Sequence, residues 1–216
     1  MKAEKKLTYQ QKQELIIKEI EKKIPYTKPT LLLHACCAPC SSYVLELLSR
    51  HFNITIFYYN PNIHPAAEYN RRLNELKNFL LQFPEAVKNS VTLVEAPYDP
   101  KDYFEATNAQ NEPQLAVEPE KGERCRRCYE LRMKAAYEYA VQNNFDYFTT
   151  TLSISPHKDA EKINFIGYTL NKVNSTKYLP SDFKKNNGFK RSLELSKEFN
   201  LYRQDYCGCI YSKQNG

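Results

Sequence analysis

Short apolar runs alternating with longer amphipathic ones are what most constrains this chain. TLLLH (residues 30–34), NITIFYY (53–59), VTLVEAP (91–97) and FDYFTTT (145–151) each have the length and β-branched or aromatic content of a buried strand. TKYLP (176–180) reads as a fifth strand. Between them, SSYVLELLSRH (41–51), PAAEYNRRLNELKNFLLQF (65–83), residues 125–143, DAEKINFIGYTLNKV (159–173) and FKRSLELSKEF (189–199) read as helices, with a further helical stretch at 101–107 and a polar loop at 108–123. Strands alternating with helices of this length make βαβ units, so the expectation is an α/β domain: a parallel sheet of about five strands with helices on both faces. Ligands then belong at the carboxyl ends of the strands, where the strand order reverses. Ahead of this domain, Thr8 and Gln11 form a capping-box pattern for a charged helix to about Lys23, with Leu15, Ile16 and Ile20 as its apolar stripe. Pro25 and Pro29 interrupt the chain next. Residues 1–24 therefore form an N-terminal helical extension, and 25–216 one α/β catalytic domain.

Composition narrows the function classes. The chain has 216 residues, a formal net charge of +6, 17 tyrosines and no tryptophan, which suits a polyanionic partner without requiring one. No stretch approaches the roughly 18 apolar residues of a membrane span, and the charged N-terminus lacks a signal peptide's apolar centre, which points to the cytoplasm. Seven cysteines in that compartment are expected to be reduced, metal-bound or catalytic, and not structural disulfides.

Those cysteines form three groups. HACCAPC carries Cys36, Cys37 and Cys40 directly after the first strand, at a helix start that favours thiolates. ERCRRCYELR carries Cys125 and Cys128 at another helix start, with Arg124, Arg126, Arg127 and Arg132 as nearby positive charge. Two readings stand: a zinc site, whose usual paired C-x2-4-C spacing the adjacent Cys36 and Cys37 fit poorly, or an iron–sulfur cluster. YCGC carries Cys207 and Cys209, separated by a glycine that permits a strained, easily reduced ring. It is a redox couple, a ligand pair or a chance pairing near the C-terminus. Cys40 is a further ligand, a substrate-facing thiol or a small packing residue.

Other residues belong to the same strand-end crevice. ISPHK places His157 and Lys158 after the fourth strand, as a phosphate cradle or a plain N-cap turn. YYNPNIHP offers Asn60, Asn62, His64 and two aromatic rings for holding a flat heterocycle. Lys184, Lys185, Lys190, Arg191 and Arg203 surround YCGC as a solvated basic face or a phosphate-backbone footprint.

Taken together, LHACCAPCS, YYNPNIHPAAEYNRR, RCRRCYELRM, FTTTLSISPHKD, YLPSDFKKNNGFKRS and LYRQDYCGCIYS resemble the epoxyqueuosine reductases of the QueH type, from about residue 31 to 212. The order CC, C-x-x-C, C-x-C is the specific part, and no cysteine motif is broken. The resemblance implies a Rossmann-like, nucleotide-hydrolase-like fold and the reduction of epoxyqueuosine to queuosine in tRNA. By motif it assigns Cys36, Cys37, Cys125 and Cys128 to a 4Fe–4S cluster and Cys207 with Cys209 to a redox-active pair. It also implies an additional iron, for which Cys40 is the candidate ligand, and an electron donor that the sequence does not identify. Asn60, His64, His157, Lys158 and Arg203 are the substrate-binding candidates. Three alternatives compete: a zinc-stabilised RNA-binding module without catalysis, a thioredoxin-like disulfide reductase using Cys37 and Cys40, and an ATP-dependent sulfur-transfer enzyme. The last lacks a glycine-rich loop after the first strand.

Overall fold

The computed structural model describes residues 7–23, 27–171 and 175–213. It begins with α1 (Tyr9–Lys23), β1 (Thr30–His34), α2 (Ala38–Leu48), β2 (Asn53–Tyr58), α3 (Ala66–Gln82), a short α4 (Pro84–Lys88) and β3 (Thr92–Glu95). There follow α5 (Pro100–Thr107), a short α6 (Pro113–Val117), α7 (Glu123–Gln142) and β4 (Tyr147–Thr150), which runs into a 3-10 turn at Thr151–Ile154. The chain continues through α8 (Ala160–Leu170), β5 (Lys177–Tyr178), α9 (Gly188–Glu198) and α10 (Ile210–Lys213).

The strands pair in parallel in the order β3-β2-β1-β4-β5. β1 is central, with His34 level with Phe57 of β2 on one side and Thr150 of β4 on the other. Side-chain alternation divides the core. Leu31, Leu33, Ile54 and Ile56 pack with Leu45 and Leu48 of α2, Leu73 and Leu76 of α3, and Leu195 of α9. Leu32, Phe57 and Phe148 face the other way, onto Met133 and Ala136 of α7 and Ile163 and Ile166 of α8. A strand buried on both faces reads as a continuous apolar run, which is why TLLLH is legible as β1. The strand order reverses between β1 and β4, so the crevice opens at their carboxyl ends. HACCAPC and TTTLSISPHK leave the sheet at that point.

Several local expectations change. Ile20 is buried and Ile16 packs against the core as expected, but the α1 stripe also takes in Gln13 and Ile17, while Leu15 is exposed. Gln13 is buried because its Nε2 donates to Pro180 O at 3.2 Å, a tertiary partner that turns the helix away from the purely apolar alignment. The capping box itself forms: Thr8 N–H donates to Gln11 Oε1 at 2.9 Å and Gln11 N–H to Thr8 Oγ1 at 3.2 Å. The loop at 108–123 contains α6, and α7 starts two residues before Cys125. β5 is reduced to two residues, and residues 172–173 of the helix expected at 159–173 lie outside the described residues.

Candidate active site

HACCAPC makes the turn from β1 into α2. Cys37 is the N-cap in an extended conformation and Pro39 lies in the first turn, where a missing N–H costs no hydrogen bond. Cys36 therefore precedes the helix and Cys40 falls in its first turn. The three Sγ atoms lie within 4.8 Å of one another, with Cys36 and Cys37 Sγ 3.8 Å apart. Hydrogen bonds from Cys37 and Cys40, aided by Arg132 and Lys158, hold the Cys36 thiol well below its usual range. Cys36 in turn pushes Cys37 up to about 12 and Cys40 upward as well.

Buried polar groups brace this loop from behind. Asn60 Nδ2 donates to Ala35 O at 2.9 Å, and its Oδ1 accepts from the Arg132 guanidinium at 2.5 Å. His34 Nε2 donates to Tyr59 O at 3.1 Å, and Nδ1 lies 2.8 Å from Thr150 Oγ1. Burial and Arg132 lower the His34 pKa to about 3, so the ring is neutral.

The second pair is set by the start of α7. Glu118 caps it from outside, accepting from the backbone N–H groups of Glu123 (3.0 Å) and Arg124. A Cβ on the N-cap residue Gly122 would lie 2.5 Å from that carboxylate, so the position suits glycine. Cys125 and Cys128 follow one turn apart. The flanking arginines serve other partners than the sequence suggested. Arg124 donates to the carbonyls of Leu115, Ala116 and Glu118, Arg126 pairs with Glu123 and Glu130, and Arg127 with Glu112 and Glu123. Burial consequently dominates, raising the Cys125 thiol and taking Cys128 to about 11 despite Arg132 beside it.

The third pair arrives on a C-terminal segment strapped to α3. Arg71 lies 3.3 Å from the Tyr202 ring centroid, and the Tyr202 N–H donates to Glu75. Buried Arg72 pairs with Glu68 at 2.7 Å and donates to Cys207 O at 3.2 Å and Tyr206 O at 3.4 Å. His64 N–H donates to Gly208 O at 2.8 Å, and Tyr206 Oη donates to His64 O at 2.9 Å. Gly208 has φ +100°, and a Cβ there would stand 2.9 Å from Ile63 Cγ1. The Cys209 N–H donates to Cys207 Sγ at 3.4 Å. Cys207 Sγ also lies 3.2 Å from Ser212 Oγ, and Tyr103 Oη lies 2.7 Å from Cys209 Sγ.

The three groups share one crevice. A cavity of about 470 Å³ is lined by Cys36, Cys40 and Cys207 together with Lys158, Arg203 and Gln204, whose Nε2 donates to Cys37 Sγ at 3.1 Å. A small chamber of about 20 Å³ is lined by Cys125, Cys128, Cys207 and Cys209. Glu120, Arg124, Arg132, His157 and Lys158 wall both. Among the described residues, then, Cys36, Cys37 and Cys40 form the close trio, and Cys125 and Cys128 stand across Arg132 and Lys158 beside the C-x-C pair. Burial works to lower the Lys158 pKa, but Cys207, Cys36 and Cys40 outweigh it and the net shift is upward.

The remaining candidates fall into two classes. Lys158, exposed His157 and exposed Arg203 face the large cavity. The ISPHK turn spends its own N–H groups, His157 N–H on Ser155 Oγ and Lys158 N–H on Ser155 O, so it is the plain turn, and Lys158 lines the cavity. Asn60 and His64 lie behind the walls, supporting the cysteine loop and the C-x-C segment respectively. The aromatic faces expected beside them are occupied: Tyr58 is in the core, and Tyr59 donates to Asp102 at 2.7 Å. Of the basic residues near YCGC, Lys184 pairs with Asp182 and Arg191 with Glu46. Sequence reasoning missed Arg72, Tyr103, Glu120 and Gln204. Arg72 and Gln204 lie within quoted motifs, but nothing local in the sequence ties Tyr103 or Glu120 to the cysteines.

A family profile described as epoxyqueuosine reductase QueH matches residues 31–215. The chain belongs to this family. It is 43% identical over 212 residues to the QueH epoxyqueuosine reductase of Streptococcus pyogenes serotype M1, covering 98% of this chain and 80% of the relative. It is 41% identical over 185 residues to that of Staphylococcus epidermidis (86% and 76%), and 31% identical over 186 residues to that of Thermotoga maritima (85% and 90%). Membership in the QueH family makes the chain an oxidoreductase and decides against a non-catalytic zinc module. The cysteine trio is compatible with metal binding. No helix among the described residues is long and apolar enough to cross a membrane.

Proposed function

We propose that this protein reduces epoxyqueuosine to queuosine in tRNA, and that residues 25–216 act as one catalytic domain in the cytoplasm. The observation that carries the reading is the meeting of all three cysteine groups at the β1–β4 crevice in a chain of this family. The donor set fits an iron–sulfur cofactor: the cysteines are free thiols, they are buried wholly or in part, and Lys158 and Arg132 offset the negative charge of a thiolate-ligated cluster. Cys36, Cys37, Cys125 and Cys128 would hold a 4Fe–4S cluster, with Cys40 placed to ligate an additional iron. When bound, these groups supply electrons singly and a Lewis acid for the departing oxygen.

The chain's own residues account for the rest. The overall reaction is epoxide plus dithiol to alkene, disulfide and water, so Cys207 and Cys209 supply both electrons and both protons. Lys158, His157 and Arg203 present positive or hydrogen-bonding groups to the phosphates of an RNA strand entering the large cavity. Gln204 covers Cys37 and limits water at that thiol, while Cys36 and Cys40 face the cavity. Asn60 and His64 act by holding the two loops. An electron donor of the thiol or iron–sulfur class must restore the pair between turnovers.

The test is anaerobic purification with iron, zinc and sulfide analysis, followed by turnover on epoxyqueuosine-containing tRNA. About four irons with equal sulfide per chain, and a fifth iron without sulfide, are expected. Zinc without sulfide, or no conversion by iron-loaded protein, refutes the reading. Cys209→Ser is expected to keep its iron and lose multiple turnover, whereas Cys37→Ser is expected to lose iron.

A further inference from the structure

We propose that Cys207 is the sulfur that exchanges with external thiols and that Tyr103 is a catalytic residue serving Cys209 as the leaving sulfur. The proposal rests on the reading of Cys207 and Cys209 as a redox pair and assigns its two members different tasks.

Access separates them first. Cys207 is partly exposed and lines both the large cavity and the inner chamber, so a reagent in the crevice meets its sulfur directly. Cys209 is 6% exposed and lines only the chamber of about 20 Å³, which admits no thiol reagent. Partners separate them next. Cys207 Sγ donates to Ser212 Oγ at 3.2 Å, whose own hydroxyl donates to Cys209 O at 2.8 Å, and it accepts from the Cys209 N–H at 3.4 Å. Cys209 Sγ has the Tyr103 hydroxyl at 2.7 Å, on a ring 1% exposed and fixed in the first half of α5. The Arg72 clamp on the carbonyls of Tyr206 and Cys207 keeps this orientation.

The exchange balances without a further oxidant. A low-molecular-weight thiolate RS⁻ attacks Cys207 Sγ, forming an R–S–S bond there. The Cys207–Cys209 bond breaks and its electron pair leaves on Cys209 Sγ, where the Tyr103 O–H donates a hydrogen bond to the new thiolate. A second RSH supplies a thiolate that displaces Cys207 from the mixed disulfide, releasing RSSR, and two protons complete the dithiol. Leaving-group stabilisation sets the rate of such a step, and a donor aimed at the departing sulfur provides it.

Anaerobically prepared holoenzyme is first oxidised mildly and its peptides are mapped by mass spectrometry. A wild-type chain that forms no Cys207–Cys209 bond refutes the redox-pair reading, and this proposal falls with it. With the bond established, the Cys209→Ser and Cys207→Ser proteins are treated with an aryl disulfide and the adducts located. Capture on Cys207 is expected to exceed capture on Cys209 by at least about tenfold. Tyr103→Phe retains the ring and is expected to slow reduction of the bond by dithiothreitol roughly tenfold, the loss of one hydrogen bond to a charged sulfur. It should slow aryl-disulfide capture of Cys207, in the Cys209→Ser background, far less. Faster capture on Cys209, or a reduction rate indifferent to Tyr103→Phe, overturns the assignment while leaving the redox pair intact.

Discussion

Arg72 connects two parts of the site from a position with almost no access to water. Its guanidinium serves the Glu68 carboxylate and two backbone carbonyls of the C-x-C segment at once. Arg72→Met leaves Glu68 without its partner and the segment without its clamp. The expected cost is about 3 kcal/mol in urea unfolding, and Arg72→Lys should recover little of it, because an ammonium cannot reproduce the planar fork. Gly208→Ala acts on the same segment through the backbone. A methyl at φ +100° and 2.9 Å from Ile63 Cγ1 should slow or prevent formation of the Cys207–Cys209 bond, read as peptide mass after mild oxidation. The cysteines were legible because their spacing is a motif in itself. Arg72, Tyr103 and Gln204 were not, because each meets its cysteine across more than a hundred residues and no local pattern encodes such a contact. The charge assigned to Arg126 and Arg127 failed for a related reason: carboxylates on α7 and from the preceding loop reach them first.

At the scale of elements, the helix starts carry the site. The start of α7 depends on a carboxylate from the preceding loop and on the absence of a side chain at Gly122. Gly122→Ala should displace Glu118 and cost about 1 kcal/mol in urea unfolding, while faster loss of iron to a chelator reports the loosened Cys125 turn. The start of α1 is independent of the cysteines. Thr8→Ala removes half of its reciprocal cap and should cost about 1 kcal/mol or less, with faster amide exchange confined to the first turn and reductase activity retained. That cap was readable from two residues three apart. The face that α1 buries was readable at Ile16 and Ile20 but not at Gln13, because the Pro180 carbonyl that receives Gln13 is distant in sequence.

For the molecule as a whole, a five-stranded parallel sheet was legible from the spacing of apolar runs. The position of the crevice followed from the rule that ligands gather where strand order reverses. β5 was legible within TKYLP although only Lys177–Tyr178 pair, whereas the short helices α4 and α6 were illegible, since segments of that length carry no periodicity. The net charge of +6 becomes a local matter here, because several basic side chains are already paired while Lys158 and Arg203 face the cavity. Affinity for tRNA should therefore fall with added salt, and Arg203→Ala should flatten the log–log slope by roughly 0.7 to 0.9, one phosphate contact, with iron content unchanged.

The C-terminal strap also has a consequence for biosynthesis. Gln204 lies 167 positions after Cys37, the thiol it covers. At about 5–20 residues per second of translation, the first thiols leave the ribosome roughly ten to thirty seconds before their cover is made. In that interval the nascent chain presents an unroofed cysteine loop to the cell, open to oxidants and equally open to whatever delivers metal.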